Sequence, residues 1–156
     1  MAADHERFMR LALEEAARGG IEGNIAVGSL VVRDGEVVAR GRNLVTSTLD
    51  PTAHAEVVAL RETGRATRSV DFSGWALYTT FEPCPMCCGA IIATGIGTLV
   101  LGARHDPATS RWGPYRVEKL FDLARYGDRI RLVTGILTHE CLAMRQEWEA
   151  RNARAR

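Results

Sequence analysis

Apolar residues recur every three or four positions near the N-terminus, a spacing that is typical of an amphipathic helix. Asp4 can cap this helix and Gly19-Gly20 can end it. Val27 to Val32 is a mostly apolar run typical of a buried strand, and the following Asp34-Gly35 is a strong signal for a two-residue hairpin turn. The chain is therefore expected to open with a helix and a β-hairpin.

The rest of the chain alternates strand and helix patterns. Helices are expected from about 52–54 to 64, at 84–94, at 117–125 and from 139 to about 153, strands at 36–42, 75–80, 98–102 and 130–137, and turn residues at 46–51. A helix connects the last two strands, so we expect them to be parallel. The pattern predicts an α/β domain around a mixed sheet, spanning residues 1–156 without a linker.

Composition narrows the function classes. Hydrophobic residues make up 46% and charged residues 25%, which excludes a disordered, collagen-like or disulfide-dense chain. The formal net charge of +1 gives no global electrostatic case for polynucleotide binding. The charged N-terminus does not resemble a signal peptide, and the most apolar run, Ala90 to Ala103, is too short and too interrupted to cross a membrane. A cytoplasmic location and no membrane partner are expected.

The four cysteines are candidates for metal or redox chemistry. Three of them lie within five residues, so they make a poor disulfide framework. Cys84 and Cys87 are three apart at the start of a predicted helix, which places both sulfurs on one face of its first turn. The unpaired N–H groups of a helix N-terminus favour thiolates. Cys88 and Cys141 are expected to be small buried apolar residues.

His54 begins another predicted helix and can bring its imidazole to the same metal ion. Structural zinc sites are normally closed by four protein ligands, whereas catalytic sites keep one position open. His54, Cys84 and Cys87 provide three ligands, so the sequence predicts one catalytic Zn²⁺ per chain. Glu56, two residues after His54, is placed to carry protons rather than to bind the metal.

Two other interpretations of the cysteine pair remain open. Cys-Pro-Met-Cys at a strand-to-helix junction is also typical of a thioredoxin-like redox site, although His54 and Glu56 would then have no role. A zinc-stabilised binding module would need a fourth ligand, and none with suitable spacing is visible in the sequence.

Two segments resemble the signatures of a known family. Asp50-Pro-Thr-Ala-His-Ala-Glu56 and Leu77-Tyr-Thr-Thr-Phe-Glu-Pro-Cys-Pro-Met-Cys87 are similar to the H-x-E and P-C-x-x-C signatures of the cytidine deaminase-like zinc hydrolases. The resemblance is close from about Ile25 to Gly102. It implies a three-layer α/β/α sandwich with a five-stranded mixed sheet, a homodimer, and hydrolytic deamination of a ring amine to the oxo form with release of ammonia. In that reaction Glu56 would protonate first the ring nitrogen and then the leaving amine.

The resemblance also suggests substrate contacts. By position, Asn43 resembles the family's asparagine that hydrogen-bonds the substrate ring, and backbone N–H groups near Ala55 and Cys84 would hold the substrate and its developing charge. His105 and Asp106 are candidates for the pocket mouth, with a solvated loop as the alternative. Trp112 and Tyr115 are candidates for an aromatic wall over a planar ring, with ordinary packing as the alternative. Glu82 either supports the zinc site or hydrogen-bonds the local backbone.

The substrate is less well defined by the sequence. The first signature is similar to those of both bacterial guanine deaminases and bacterial tRNA adenosine deaminases. The segment His105–Tyr115 is bulkier than the Lys- and Gly-rich loop usual in the tRNA enzymes, and the near-zero charge lacks a phosphate-neutralising excess. We therefore expect a small free nucleobase or related N-heterocycle, with a guanine-type purine favoured and cytosine or an aminotriazine next. Ring-selective contacts are expected from this loop and the last helix.

The alternative is adenosine-to-inosine editing of tRNA. Thr134–Cys141 resembles the last strand and helix of the tRNA enzymes, and the segment 145–156 carries a net charge of +2. An arginine-bearing end is, however, usually a solvated surface.

Overall fold

A computed structural model describes residues 2–153 of the chain, with side chains from residue 4 onward. Five strands form one sheet in the order β2-β1-β3-β4-β5. The strands are β1 (Gly28–Arg33), β2 (Glu36–Arg42), β3 (Ala76–Phe81), β4 (Thr98–Ala103) and β5 (Arg131–Val133). The helices are α1 (Ala2–Ile21), α2 (Val45–Thr48), α3 (Ala55–Thr67), α4 (Pro85–Thr94), α5 (Val117–Leu123) and α6 (Thr138–Ala153), with a 3₁₀ turn at Gly127–Arg129.

The sheet is mixed. β1 pairs antiparallel with both β2 and β3, while β3, β4 and β5 are parallel. Asp34 and Gly35 join β1 to β2 with φ values of 50° and 79°, as a two-residue hairpin turn of the primed type requires. The structure thus confirms the expected hairpin and the expected parallel pair across α5.

Helices cover both faces of the sheet. α1 and α6 pack on one face, where Tyr78 and Val100 join their core. α3, α4 and α5 pack on the other face, where Leu77 and Leu99 join a second core. Neighbouring residues of a strand point to opposite faces, so β3 and β4 serve both cores. The arrangement confirms the three-layer α/β/α sandwich.

A glycine in β2 brings α3 unusually close to the sheet. A Cβ atom on Gly41 would collide with the carbonyl oxygen of Ala55 and the amide nitrogen of Ala59. The first turns of α3 therefore rest directly on the strand backbone. This contact fixes the height of His54 and Glu56 above the sheet.

The structure shifts several predicted boundaries. The first helix begins at Ala2, so Asp4 lies in its first turn rather than capping it. α3 begins at Ala55 and continues past Gly64 to Thr67. The expected turn at 46–51 contains the single helical turn α2, whose N–H groups at Thr46 and Ser47 donate to the buried Asn24 side chain.

The last strand is shorter than its sequence pattern predicts. β5 pairs with β4 only over Arg131–Val133, three residues instead of the expected run to Leu137. Beyond Val133 the start of α6, rather than a strand, lies against the end of β4. There the Thr138 hydroxyl donates to the carbonyl of Gly102 and the Cys141 side chain packs against that glycine. Across residues 2–153 no helix has the length and apolar character needed to cross a membrane.

Candidate active site

Two helix N-termini meet at one edge of the sheet. His54 is the residue that caps α3, and Cys84 is the residue that caps α4; both have extended backbones just before their helices begin. Pro85 follows Cys84 at the first helical position, where its fixed φ and missing N–H are compatible with a helix start. The α4 turn then places Cys87 beside Cys84. The predicted ligands are thus carried by two short, well-defined junctions.

The three predicted ligand atoms form an equilateral triangle. The distances Cys84 Sγ–Cys87 Sγ, Cys84 Sγ–His54 Nδ1 and Cys87 Sγ–His54 Nδ1 are each 3.6 Å. Tetrahedral zinc with Zn–S of about 2.3 Å and Zn–N of about 2.0–2.1 Å needs ligand separations of about 3.6–3.8 Å. Within the described part of the chain, these three residues form the group able to hold a metal ion. The donor set and its spacing fit a zinc ion with one open position.

The ionisation of the cysteines favours metal binding. Hydrogen bonding from the Cys87 thiol and the adjacent His54 ring lowers the pKa of Cys84 to about 4, so this residue is a thiolate at neutral pH. The pKa of the Cys87 thiol is raised because the thiol donates a hydrogen bond to the Cys84 sulfur and because it is buried. A divalent cation between the two sulfurs would replace that shared proton.

Glu56 lies beside the ligand triangle without joining it. Its carboxylate is buried, with 4% of the residue exposed, and burial raises its pKa above the usual glutamate value. The Thr79 hydroxyl donates to Oε1 at 3.2 Å, and Cys87 Sγ lies 3.5 Å from Oε2. A buried carboxyl group held next to an open metal position is suited to proton transfer.

The other two cysteines stand apart from the triangle. Cys88 Sγ lies 3.0 Å from the Tyr115 hydroxyl, and Cys141 packs against Gly102. Burial raises the pKa of each thiol to about 12, so both are neutral. This placement agrees with the expectation that they are packing residues.

A cavity of about 770 Å³ opens above Glu56. Of the predicted substrate contacts, Asn43, Ala55, His105, Asp106 and Trp112 line it. Asn43 is 4% exposed, and its Oδ1 accepts from the Val45 N–H, which turns the side chain toward the cavity with its amide NH₂ group available. Ala55 is the first residue of α3, so its N–H has no acceptor within the helix.

Tyr115 is the predicted contact that the structure places elsewhere. Its hydroxyl donates to the Pro83 carbonyl at 2.9 Å and lies against Cys88, and its ring packs on the core under α3, α4 and α5. Tyr115 therefore faces the protein interior behind the cavity and does not line it. The aromatic rings that line the cavity are Trp112 and two others. These are His105 and Phe81, which meet edge to face with centroids 4.9 Å apart.

Several cavity residues were not singled out by the sequence. Phe81 ends β3, and Leu142, Arg145, Gln146 and Glu149 come from α6. The Arg145 guanidinium lies 5.1 Å from the centroid of the Phe81 ring and pairs with Glu149 at 2.6 Å. The last helix was expected to contribute, but its weakly amphipathic pattern does not indicate which side chains face the cavity.

The chain belongs to the family described as the cytidine and deoxycytidylate deaminase zinc-binding region, whose model matches residues 2–103. The matched region contains both ligand junctions and Glu56. Membership agrees with the zinc site and the three-layer fold, and it makes the protein a zinc-dependent hydrolytic deaminase. The thioredoxin-like and binding-module interpretations are thereby set aside.

Relatives of two substrate classes match the chain. It is 48% identical over 98 residues to the chloroplastic tRNA(adenine(34)) deaminase of Arabidopsis thaliana, covering 63% of this chain but only 8% of that protein. It is 33% identical to the tRNA-specific adenosine deaminase of Bacillus subtilis, covering 89% of this chain and 84% of the relative. It is also 40% identical to the guanine deaminase of Bacillus subtilis, covering 67% of this chain and 68% of the relative.

Solved structures of both kinds of deaminase also match the chain. A tRNA:A34 deaminase matches with a TM-score of 0.78 and 32% identity, covering 88% of this chain and 98% of that one. The guanine deaminase of Nitrosomonas europaea matches with a TM-score of 0.82 and 28% identity, covering 93% of this chain and 84% of that one.

Proposed function

We propose that this deaminase acts on a small free nucleobase or a related nitrogen heterocycle, with a guanine-type purine favoured over cytosine and aminotriazines. The observation that carries the proposal is the charge balance of the cavity above Glu56. Its cationic lining residues are Arg104, Arg111 and Arg145, and its acidic ones are Glu56, Glu82, Asp106 and Glu149.

The arginines of the cavity are largely engaged by carboxylates. Arg104 pairs with Glu82 at 3.1 Å and with Glu118 at 2.6 Å, and Arg145 pairs with Glu149. A site for a polynucleotide normally carries a surplus of cations for the phosphates. A balanced cavity with aromatic walls is better matched to a neutral planar ring, and its volume of about 770 Å³ is in the usual range for small-molecule sites.

Glu56 would carry the protons of the reaction. A zinc ion held by His54, Cys84 and Cys87 would lower the pKa of a bound water to about 7. Glu56 accepts a proton from the attacking water and delivers it to the ring nitrogen next to the reacting carbon. It would then pass the remaining proton of that oxygen to the amine, so that the carbon–nitrogen bond breaks, ammonia leaves and the ring carbon is left in the oxo form. The Thr79 hydroxyl and the buried surroundings hold the carboxyl group in place for both transfers.

Asn43 and the start of α3 would orient the ring. The Asn43 NH₂ group can donate to a ring acceptor, since its Oδ1 is already engaged by Val45 N–H. The N–H of Ala55 points from the helix start and can hold negative charge that develops during the reaction. Trp112 would cover the ring face at the other side of the cavity.

Editing of adenosine in tRNA is the second candidate. The 48% identity to the chloroplastic tRNA(adenine(34)) deaminase favours it, because the matched 98 residues are long enough to include more than the metal motif. The segment 145–156, considered above for its positive charge, extends past the described residues at Arg154 and Arg156.

Ammonia release separates the candidates. We would assay the zinc-loaded protein with guanine, cytosine, adenine, their nucleosides, aminotriazines and a tRNA anticodon stem-loop, with Glu56→Ala as the inactive control. We expect turnover of a free base, with guanine preferred. Turnover of the stem-loop alone would replace the proposal by the tRNA candidate.

We also propose that the chain forms a homodimer and works in the cytoplasm. An apolar groove of about 390 Å³ lies between α3 and α4, and Val70 on its edge is 86% exposed. Val70→Asp should shift the sedimentation coefficient toward that of a monomer. Ile21→Asp is the matched control, since Ile21 is equally exposed but ends α1 on the opposite layer. A monomeric wild-type protein would contradict the dimer.

A further inference from the structure

The buried carboxylate of Glu82 lies between the start of α4, which carries Cys84, and the segment that follows β4 and lines the cavity. Glu82 directly precedes Pro83-Cys84, and its side chain is fully buried. It lies outside the ligand triangle, and in the structure it is so far described only as part of the cavity lining and as a partner of Arg104. We propose that Glu82 is a positioning residue that holds the segment 104–116, here called the cavity wall, against the metal side of the site.

Each oxygen of Glu82 bonds the start of the cavity wall and also its last residue or Val117, the residue directly after it. Oε1 accepts from Arg104 Nη1 at 3.1 Å and from the Val117 N–H at 3.2 Å. Oε2 accepts from the His105 N–H at 3.1 Å and from Arg116 Nη1 at 3.4 Å. One carboxylate therefore closes a loop of about a dozen residues at its base.

Two further contacts strengthen the same connection. Arg116 Nη1 donates to the His105 carbonyl at 2.9 Å, so the two ends of the cavity wall also bond directly to each other. The Tyr115 hydroxyl donates to the carbonyl of Pro83, the residue after Glu82. The wall is thus attached to the two residues that immediately precede the zinc ligand Cys84.

Between these ends, the hydrogen bonds of the wall are local. Ser110 N–H donates to the Asp106 carbonyl, Gly113 N–H to the Ser110 carbonyl, and Ala108 N–H to the Asp106 side chain. Such bonds give the segment a shape but do not attach it to the sheet. The position of Trp112 at the cavity therefore depends on the bonds that Glu82 makes to the two ends of the wall.

The inference rests on the proposed function only in assuming that the wall contacts the substrate. The proposal predicts that weakening the bonds of Glu82 to the cavity wall loosens the contacts between the wall and the bound ring. The positions of the reacting atoms should not change. Glu82→Gln keeps the size of the side chain but removes its charge and half its accepting capacity. We expect KM to rise about tenfold and kcat to change by less than about threefold, with one zinc per chain retained.

Limited proteolysis tests the attachment without any substrate. Arg111 is an exposed trypsin site in the middle of the wall, and Arg68 is an exposed site directly after α3 that serves as an internal reference. In Glu82→Gln we expect cleavage after Arg111, relative to cleavage after Arg68, to be at least about fivefold faster. That outcome with zinc retained would support the positioning role.

Two more variants complete the test. Arg116→Gln removes a partly exposed guanidinium that donates to Glu82 and leaves the buried Glu82 carboxylate in place. This variant therefore tests the proposal even if Glu82→Gln fails to fold or to hold zinc. It should accelerate the same cleavage. Glu22→Gln is the matched control, because Glu22 also pairs with an arginine, Arg42, but bonds no residue of the wall. Its cleavage ratio should stay within about twofold of wild type.

Unchanged cleavage after Arg111 in both folded Glu82→Gln and Arg116→Gln would overturn the inference. So would a fall in kcat with KM unchanged, which would place Glu82 in the chemistry instead. Failure of the proposed function is recognised separately. In that case the wild-type protein releases no ammonia from any free base, while the proteolysis result still stands.

Discussion

The metal side and the substrate side of the cavity are held by different kinds of interaction. His54, Cys84 and Cys87 belong to two helix starts that rest on the sheet, and Gly41 lets one of those starts touch the strand backbone. The cavity wall 104–116 has no such support and is attached through Glu82 and Tyr115. The metal side should therefore tolerate changes in the wall, whereas the wall should control affinity and ring selectivity.

The largest effect is expected from removing a zinc ligand. Cys87→Ala should lose the metal and all measurable deamination, because two ligands cannot hold zinc against the solvent. Cys88→Ala is the matched control on the next residue and should keep one zinc per chain, with reduced stability from its lost packing. Metal analysis and ammonia release check both variants. Retained zinc in Cys87→Ala would contradict the ligand assignment.

Removing the proposed proton carrier should affect the chemistry alone. Glu56→Ala is expected to lower kcat by about 10³-fold or more, within the range attributed to general acid–base catalysis, and to retain zinc. Turnover and metal content measured on the same sample provide the check. Near-normal kcat would show that another group moves the protons.

A change in the cavity wall should affect affinity more than turnover. Trp112→Ala removes an aromatic ring from the cavity lining, and we expect KM to rise about tenfold while kcat changes little. Trp75→Ala is the control, because Trp75 stacks on Phe72 away from the cavity and should lower stability without changing KM. Equal KM effects of the two variants would remove the distinction between the two sides.

The smallest expected effect concerns the ion pair behind the wall. Hydrogen bonding from Arg104 lowers the pKa of Glu118 below its usual value of 4.5. A lowered pKa stabilises the folded state above about pH 4.5, and this contribution is lost as the pH falls through the folded-state pKa. Glu118→Gln should therefore cost about 0.5 kcal/mol at pH 7, a value that allows for its partial exposure, and almost nothing at pH 3. Urea unfolding at both pH values measures the difference, and an equal cost at both would contradict it.

The sequence was most informative where function depends on short-range spacing. Cys84 and Cys87 lie one helical turn apart, so their shared face follows from helix geometry alone. The hairpin at Asp34-Gly35 and the parallel β4–β5 pair were likewise predicted from local signals. Spacing does not orient Tyr115, because an aromatic residue in a loop can face a ligand or the core; its bonds to Pro83 and Cys88 turn it toward the core.

Sequence by itself determined the class of chemistry, since the spacing of His54, Glu56, Cys84 and Cys87 favours a three-ligand zinc site and the segments around them resemble the signatures of the deaminase family. Only the tertiary structure decided which side chains close the cavity. Glu82 and Arg116 are 34 positions apart, and Phe81 and Arg145 are farther still, yet each pair is in contact. Such contacts arise from the packing of the sheet, the wall and α6 against one another. No local pattern specifies them, because each residue alone fits a solvated surface as well as a cavity.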